Sequence, residues 1–389
     1  MKKLILIIIL FSLTGCWNYH ELNDFAIAAG FAIDVAEEGF EVTVLISNAQ
    51  KESSGEGQGG ASATVYRGKG ETIFEAIKDA SMSISKQIYV SHIEVLVLSE
   101  EIAKTKTLEV IDFFFRYPYT RNEFLLVIAE NSKAGDTFEV TTPLETYPSQ
   151  NISKNLEITD KLQGYVYTVT FNEFVKLLIE EGVSPVLPTI SIVGSVEEGN
   201  KKENIEQNEP STYLKLGNMA IFSGSEYVGI GNKDQTKGIN FVNDKIQTTL
   251  ITSDYEGQTV VTEIDDSSTK VDINLDSNIP KIKIQVESSG TITEVTGKVE
   301  IEEPEVIDKI KKLHEEEIKR ICNEGIEYAK SMKTDVFGFG NMIYKQDYKK
   351  WNKLKEKWEE ELFEQIEVEV EVSLDLKTKG SIDTTIEVR

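Results

Sequence analysis

The chain has 389 residues, 40% of them hydrophobic, with 41 basic and 66 acidic residues and a formal net charge of −25. That is enough apolar material for two or three domains with their own cores. So acidic a body excludes a nucleic-acid-binding role, which needs clustered Lys and Arg to neutralise phosphates.

The first element is a targeting segment. Lys2 and Lys3 precede an apolar run over residues 4–13, and Leu13-Thr14-Gly15-Cys16 closes it. The run is far short of the roughly 20 apolar residues that span a bilayer, and a charged start followed by a short apolar stretch is the pattern of a secretion signal. A cysteine directly after Leu-Thr-Gly is the lipobox of bacterial lipoproteins. The expectation is therefore cleavage after residue 15, a diacylglycerol thioether on Cys16 as the lipidation site, and a mature chain on the outer face of a membrane. Each buried methylene contributes about 0.8 kcal/mol, so a two-chain anchor holds stably. No cofactor is expected beyond this covalent lipid. Anionic headgroups repel an acidic body, so attachment is expected to rest on the acyl chains and on protein contacts rather than on a basic patch. Only Cys322 remains after lipidation, which excludes an intramolecular disulfide.

Two strands follow, residues 26–33 and 41–47, around the turn Glu37-Glu38-Gly39. Residues 51–60 carry no aliphatic or aromatic side chain and read as a loop. Ile73, Phe74, Ile77, Ala80 and Ile84 then form a helical stripe, followed by a strand at 93–98, a helix at 101–116, a strand at 123–130 and a helix at 171–181. This is an α/β-like N-terminal domain over residues 16–196. Residues 196–211 are polar and read as a linker. Beyond it, residues 220–222 and 226–230 flank Ser223-Gly224-Ser225 as a strand-turn-strand unit, giving a linker and small middle domain over 197–257. Strands at 260–264, 271–275 and 282–287 open a C-terminal α+β domain, 258–389. Pro304 starts a helix of about 28 residues, roughly 42 Å long at 1.5 Å per residue. Tyr348, Trp351, Leu354, Trp358 and Leu362 stripe a second helix. Residues 366–372 alternate Glu with apolar residues as a half-buried strand, with 381–388 as its hairpin partner.

Several of these segments carry a resemblance. Cys16-Trp17-Asn18-Tyr19-His20-Glu21-Leu22 resembles the Gly-Cys-Trp-Asp-x-x-Glu-Leu opening of the Ger(x)C family, the C-subunit lipoproteins of spore germinant receptors, with Asn18 in place of the usual acid. The likeness continues through Phe74-Glu75-Ala76-Ile77-Lys78-Asp79, Tyr89-Val90-Ser91-His92-Ile93-Glu94, Ile111-Asp112-Phe113-Phe114-Phe115-Arg116-Tyr117-Pro118 and Glu181-Gly182-Val183-Ser184-Pro185. It ends at Asp335-Val336-Phe337-Gly338-Phe339-Gly340. The resemblance implies a three-domain α+β lipoprotein of mixed sheets with packed helices, its C-terminal domain setting one long helix against an antiparallel sheet. It further implies anchoring on the outer face of the spore inner membrane beside polytopic A- and B-type receptor subunits, with Trp17, Glu21, Leu22, Asp335, Gly338 and Gly340 as motif residues of structural role. In such a receptor the chain serves assembly and signalling of nutrient germination.

Catalytic chemistry is not expected. His20, His92 and His314 fall in different elements, and His314-Glu315-Glu316-Glu317 lacks the second histidine of a zinc-hydrolase helix, because residue 318 is Ile. Gly338-Phe339-Gly340 follows a helix and has Ile at 343, so a dinucleotide-binding turn is excluded. Its glycines instead suit a tight turn with positive φ, with Asp335 capping a backbone amide. Cys322, on an apolar helical stripe, reads as an inert buried thiol. One alternative stays open: a membrane-anchored solute-binding lipoprotein, which export, the anchor and the α/β-like segments also suit.

Overall fold

The computed structural model describes residues 24–48, 61–301 and 303–377. Among the described residues there are two sheets. In the first, β1 (Phe25–Val35), β2 (Phe40–Ser47) and β3 (Ala63–Gly70) form an antiparallel meander. The chain then returns through helix α1 (Ile73–Ser81), β4 (Gln87–Tyr89) lies parallel to the start of β1, and β5 (Val95–Ser99) extends the sheet in parallel. Residues 28–33 and 95–98 are near-continuous apolar runs because helices cover them, as parallel strands require.

Helix α1 starts at a capping box in which Thr72 and Glu75 satisfy each other's backbone amides. It buries Ile73, Ile77 and Ala80, whereas Phe74 is 44% exposed and Ile84 lies beyond the helix end. The single helix expected at 101–116 is two, α2 (Glu100–Thr105) and α3 (Thr107–Arg116), broken at Lys106, whose backbone leaves helical geometry. β6 (Leu125–Ala129), helix α4 (Pro148–Gln163), helix α5 (Phe171–Ile179) and β7 (Val186–Val193) follow, with β6 and β7 parallel.

The polar segment after residue 196 is not an unstructured tether. It forms helical turns at Val196–Gly199 and Glu203–Glu206. The buried Asn204 amide accepts from the Thr212 backbone N–H at 3.0 Å and donates to the Thr212 carbonyl at 2.9 Å. Hydrogen bonds, not apolar burial, fix it. β8 (Tyr213–Ser223) then pairs antiparallel with β7, and β9 (Glu226–Ile230) with β8. Strands placed in a middle unit by the sequence therefore continue the first sheet.

After helix α6 (Lys233–Val242), the second sheet runs β10 (Thr249–Tyr255), β11 (Gln258–Asn274), β12 (Lys281–Val295) and β13 (Glu367–Lys377). β11 spans residues expected as two strands. Its polar middle carries no burial signal but stays in the β12 ladder, with a register shift between Ile264 and Asp266. The first three strands are antiparallel and β13 joins β12 in parallel. The reason is connectivity: helix α7 (Pro304–Ser331) carries the chain back across the sheet before β13 begins. Helices α8 (Phe339–Gln346) and α9 (Tyr348–Leu354) follow α7. The expected second helical stripe stops early, because after Leu354 the chain turns through 3₁₀ and π geometry to Gln365. Its Trp351 and Trp358 are nonetheless buried. The expected hairpin partner at 381–388 lies outside the described residues. One hydrophobic cluster runs without interruption from β1 and β5 of the first sheet to Ile284 and Val370 of the second.

Candidate functional site

Asp335 organises the densest polar site that joins the two sheets. It is completely buried, midway along the seven residues through which the 28-residue helix α7 hands the chain to α8. Its Oδ1 accepts from the Phe339 N–H at 3.1 Å, and its Oδ2 from the Gly340 N–H at 2.7 Å and from Trp358 Nε1 at 2.8 Å. One carboxylate thus caps α8 and fixes the indole. Burial pushes its pKa up to about 6, opposed by the bonds from Gly340, Trp358 and Phe339.

The backbone around it is equally constrained. Gly338 has φ +70° and ψ 30°, left-handed geometry that costs most other residues energy. Gly340 lies against Gly182, itself at φ +73°, in the loop between α5 and β7. A Cβ on Gly340 would stand 2.7 Å from the Trp351 ring and 2.9 Å from Gly182 Cα. This bare contact lets the Asn341 N–H reach the Gly182 carbonyl at 2.9 Å, while the Asn341 side-chain amide donates to Glu181 O at 3.0 Å. Trp351 Nε1 donates to the Glu181 carboxylate at 2.6 Å. The Ser184 N–H donates to Asp335 O at 2.8 Å, and Ser184 Oγ to Glu359 at 2.6 Å. The turn is therefore a clasp: residues 181–184 of the first sheet's last crossover are gripped by residues 335–359.

Of the sequence-predicted residues, the structure brings Asp335, Gly338 and Gly340 together. Cys16, Trp17, Glu21 and Leu22 lie outside the described residues. Sequence reading missed the partners Glu181, Gly182, Ser184, Trp351 and Trp358 as a set. The available signal was only that both segments, 181–185 and 335–340, carry glycines within stretches of the resemblance.

The remaining candidates are placed apart. His314 is fully buried, its Nδ1 2.9 Å from Ser253 Oγ and its Nε2 2.9 Å from Thr262 Oγ1, and burial pushes it down to about 4. Cys322 is buried, and burial raises its thiol pKa to about 12. Arg67 is ringed by Glu41, Asp136 and Glu139 as a closed ion-pair network. Among the described residues no group of three His, Cys, Asp or Glu could hold a metal, and no helix is long and apolar enough to cross a membrane.

Two family models cover the chain, the second taking in the whole second sheet together with β9 and most of β8 of the first. "Spore germination protein N-terminal domain" matches residues 18–192, and "Spore germination B3/ GerAC like, C-terminal" matches residues 217–380. The chain belongs to the Ger(x)C family of spore germination proteins. It is 28% identical to spore germination protein KC of Bacillus subtilis (strain 168), over 97% of this chain and 96% of that protein. It is 22% identical to spore germination protein B3 of the same organism, over 98% of each. To spore germination protein GerQC of Bacillus cereus it is also 22% identical, over 92% of this chain and 94% of that protein. The crystal structure of the GerBC protein superposes with a TM-score of 0.53 at 18% identity, covering 92% of this chain and 99% of that one, and so shares the fold. Both halves of the Ger(x)C clasp fall within the matched segments, Glu181 to Ser184 in the first and Asp335 to Glu359 in the second.

Proposed function

We propose that this chain is a lipid-anchored, non-catalytic subunit of a spore nutrient germinant receptor, held on the outer face of the spore inner membrane through Cys16. It assembles there with polytopic A- and B-type subunits and couples their response to germination. The observation that carries the reading is end-to-end similarity to spore germination proteins in both halves of the chain. The lipobox at Leu13-Thr14-Gly15-Cys16 supports the anchor. The site chemistry supports a role without turnover: the Asp335 carboxylate is spent on three internal donors, and His314 is sealed between two hydroxyls. In this role the clasp keeps the two sheets in fixed relation, so that force or displacement at one is felt at the other.

The test is germination of spores carrying Cys16→Ala in place of the native chain. Loss of the response to one class of nutrient, with other nutrients unaffected, supports the reading. Normal germination to every nutrient that depends on the native chain contradicts it. Micromolar binding of a nutrient to the isolated mature chain by calorimetry points instead to a solute-binding lipoprotein.

A further inference from the structure

We infer that the groove between α1 and α3 docks a basic amphipathic segment of a partner protein. The inference rests on the reading above of the chain as one member of a membrane assembly, and it adds the chemistry by which a neighbour is held.

The two helices leave an aromatic groove of about 520 Å³ between them, with the buried Phe40 of β2 and Ile73 as its floor and Phe74 and Phe113 on its walls. Tyr117 joins the walls: its ring stacks on Phe113 at 5.3 Å and meets Phe74 at 6.1 Å. The exposed apolar surface continues past the rim. Leu108 and Phe115, 58% and 62% exposed, stand seven residues apart and therefore on one side of α3, about 10 Å along its axis. Asp112, between them on that side, also lines the groove. A small solute would fill the groove and leave these two side chains in water, whereas a chain segment laid along α3 covers groove and shoulder together.

Charge selects the occupant. Among the described residues, the cations at the groove are engaged. Arg116 Nε donates to both Asp112 carboxylate oxygens at 2.8 Å, and Lys78 Nζ lies 5.1 Å from the centre of the Phe74 ring. Lys106 Nζ donates to the Gly39 carbonyl at 3.3 Å and lies 4.4 Å from the centre of the Phe40 ring. Glu75 is held in the Thr72 capping box. Glu71 and Glu109, which both line the groove, form no ion pair among the described residues. Nor do Glu37 and Glu38, whose turn packs on the Glu71 end: a Cβ on Gly39 would stand 2.5 Å from Glu71 Cα. The uncompensated charge is therefore negative. It repels an anionic bilayer, and it repels a second copy of this chain, whose net charge is −25 and which would bring the same carboxylates. Lys or Arg side chains spaced among apolar ones meet both the carboxylates and the ring faces, as Lys78 already meets Phe74.

The experiment uses the full chain in dormant spores. A photocrosslinking phenylalanine analogue takes the place of Phe74 and, separately, of Phe115, with the exposed Tyr348 of α9 replaced in the same way as the control. Irradiation is followed by purification through a C-terminal tag and mass spectrometry of the crosslinked peptides. The expected result is that positions 74 and 115 capture one segment of a membrane subunit, carrying Lys or Arg among apolar residues, which position 348 does not capture. Glu71→Lys with Glu109→Lys should lower that capture several-fold, and changing the captured cations to Glu should restore it. Both substituted positions are exposed, so an unchanged thermal midpoint separates lost docking from lost folding. Capture of lipid, of a second copy of this chain or of a segment without Lys or Arg overturns the docking inference, as does capture that the charge reversal leaves unchanged. Absence of capture at both positions, in a chain that still co-purifies with polytopic subunits, overturns it too and leaves the receptor reading standing. Recovery of the chain alone, with other membrane complexes intact, overturns the receptor reading and the inference with it.

Discussion

Asp335 turns a helix end into a clasp because a buried carboxylate can accept three bonds at once, whereas an amide of the same shape cannot. In Asp335→Asn the new NH₂ faces at least one of the buried donors Phe339 N–H, Gly340 N–H and Trp358 Nε1. At ~1–3 kcal/mol for each buried donor left unpaired, the expected loss is about 3 kcal/mol, read as a lowered denaturation midpoint in urea. The pH dependence has a definite sign. Because burial raises the Asp335 carboxyl from 3.8 to about 6, the folded state holds its proton more tightly than the unfolded chain. This group's contribution is therefore full below the ordinary value and is lost as pH rises through about 6. Comparing wild type with Asp335→Asn across that window isolates it, and a difference that does not change with pH contradicts the assignment. His314 works in the opposite sense. Burial lowers it from 6.5 to about 4, so its contribution is complete above 6.5 and is lost as pH falls through about 4. Its imidazole resonances, followed by NMR, should not titrate in the folded protein between pH 7 and 5.

Helices α6 and α7 cross where Gly238 meets Ile321 and Gly325 meets Ile239. A Cβ on Gly325 would stand 2.6 Å from the Ile239 backbone nitrogen and 2.8 Å from the Gln235 carbonyl. Those are backbone atoms of a packed helix and cannot swing aside. Gly325→Ala, favourable for an isolated helix by about 1 kcal/mol, should instead destabilise the protein by ~1–3 kcal/mol through overpacking, seen as a thermal midpoint several degrees lower. A raised midpoint would mean the helices separate readily. This crossing shows why some elements were legible in the sequence and others were not. α7 announced itself through Ile310, His314, Ile318 and Cys322 at helical spacing, and β1 and β5 through continuous apolar runs. α6 carries Lys237, Gly238 and Asn240 on surfaces that are buried, so its pattern reads as polar loop although its side chains are covered. α4 failed for a related reason, since only Ile152 and Leu156 supply large buried apolar side chains in its 16 residues. The middle of β11 has one exposed and one half-buried face and is held by its ladder with β12 and by hydrogen bonds from Thr269 to Phe241 O and Asp244. Periodicity reports burial of apolar groups, and these elements are fixed by small residues, hydrogen bonds or partners far along the chain.

Across the whole molecule, the clasp and the continuous core make the two sheets one mechanical unit, although the two family models match separate segments that end at residue 192 and begin at residue 217. The motif residues Asp335, Gly338 and Gly340 were visible in the sequence through resemblance, but their partners 181–184 were not paired with them, because contact across more than 150 residues leaves no local signature. A unit closed internally by buried polar bonds, with the lipid anchor proposed above at one end, suits transmission between membrane neighbours better than turnover of a substrate. The most direct measurement is purification of this chain through a C-terminal tag from detergent-solubilised membranes of dormant spores, with wild type and Cys16→Ala compared by mass spectrometry of the proteins that accompany it. The account predicts two polytopic membrane subunits with the wild type and their loss with Cys16→Ala. Recovery of the wild-type chain alone, from membranes in which other complexes survive extraction, would contradict it.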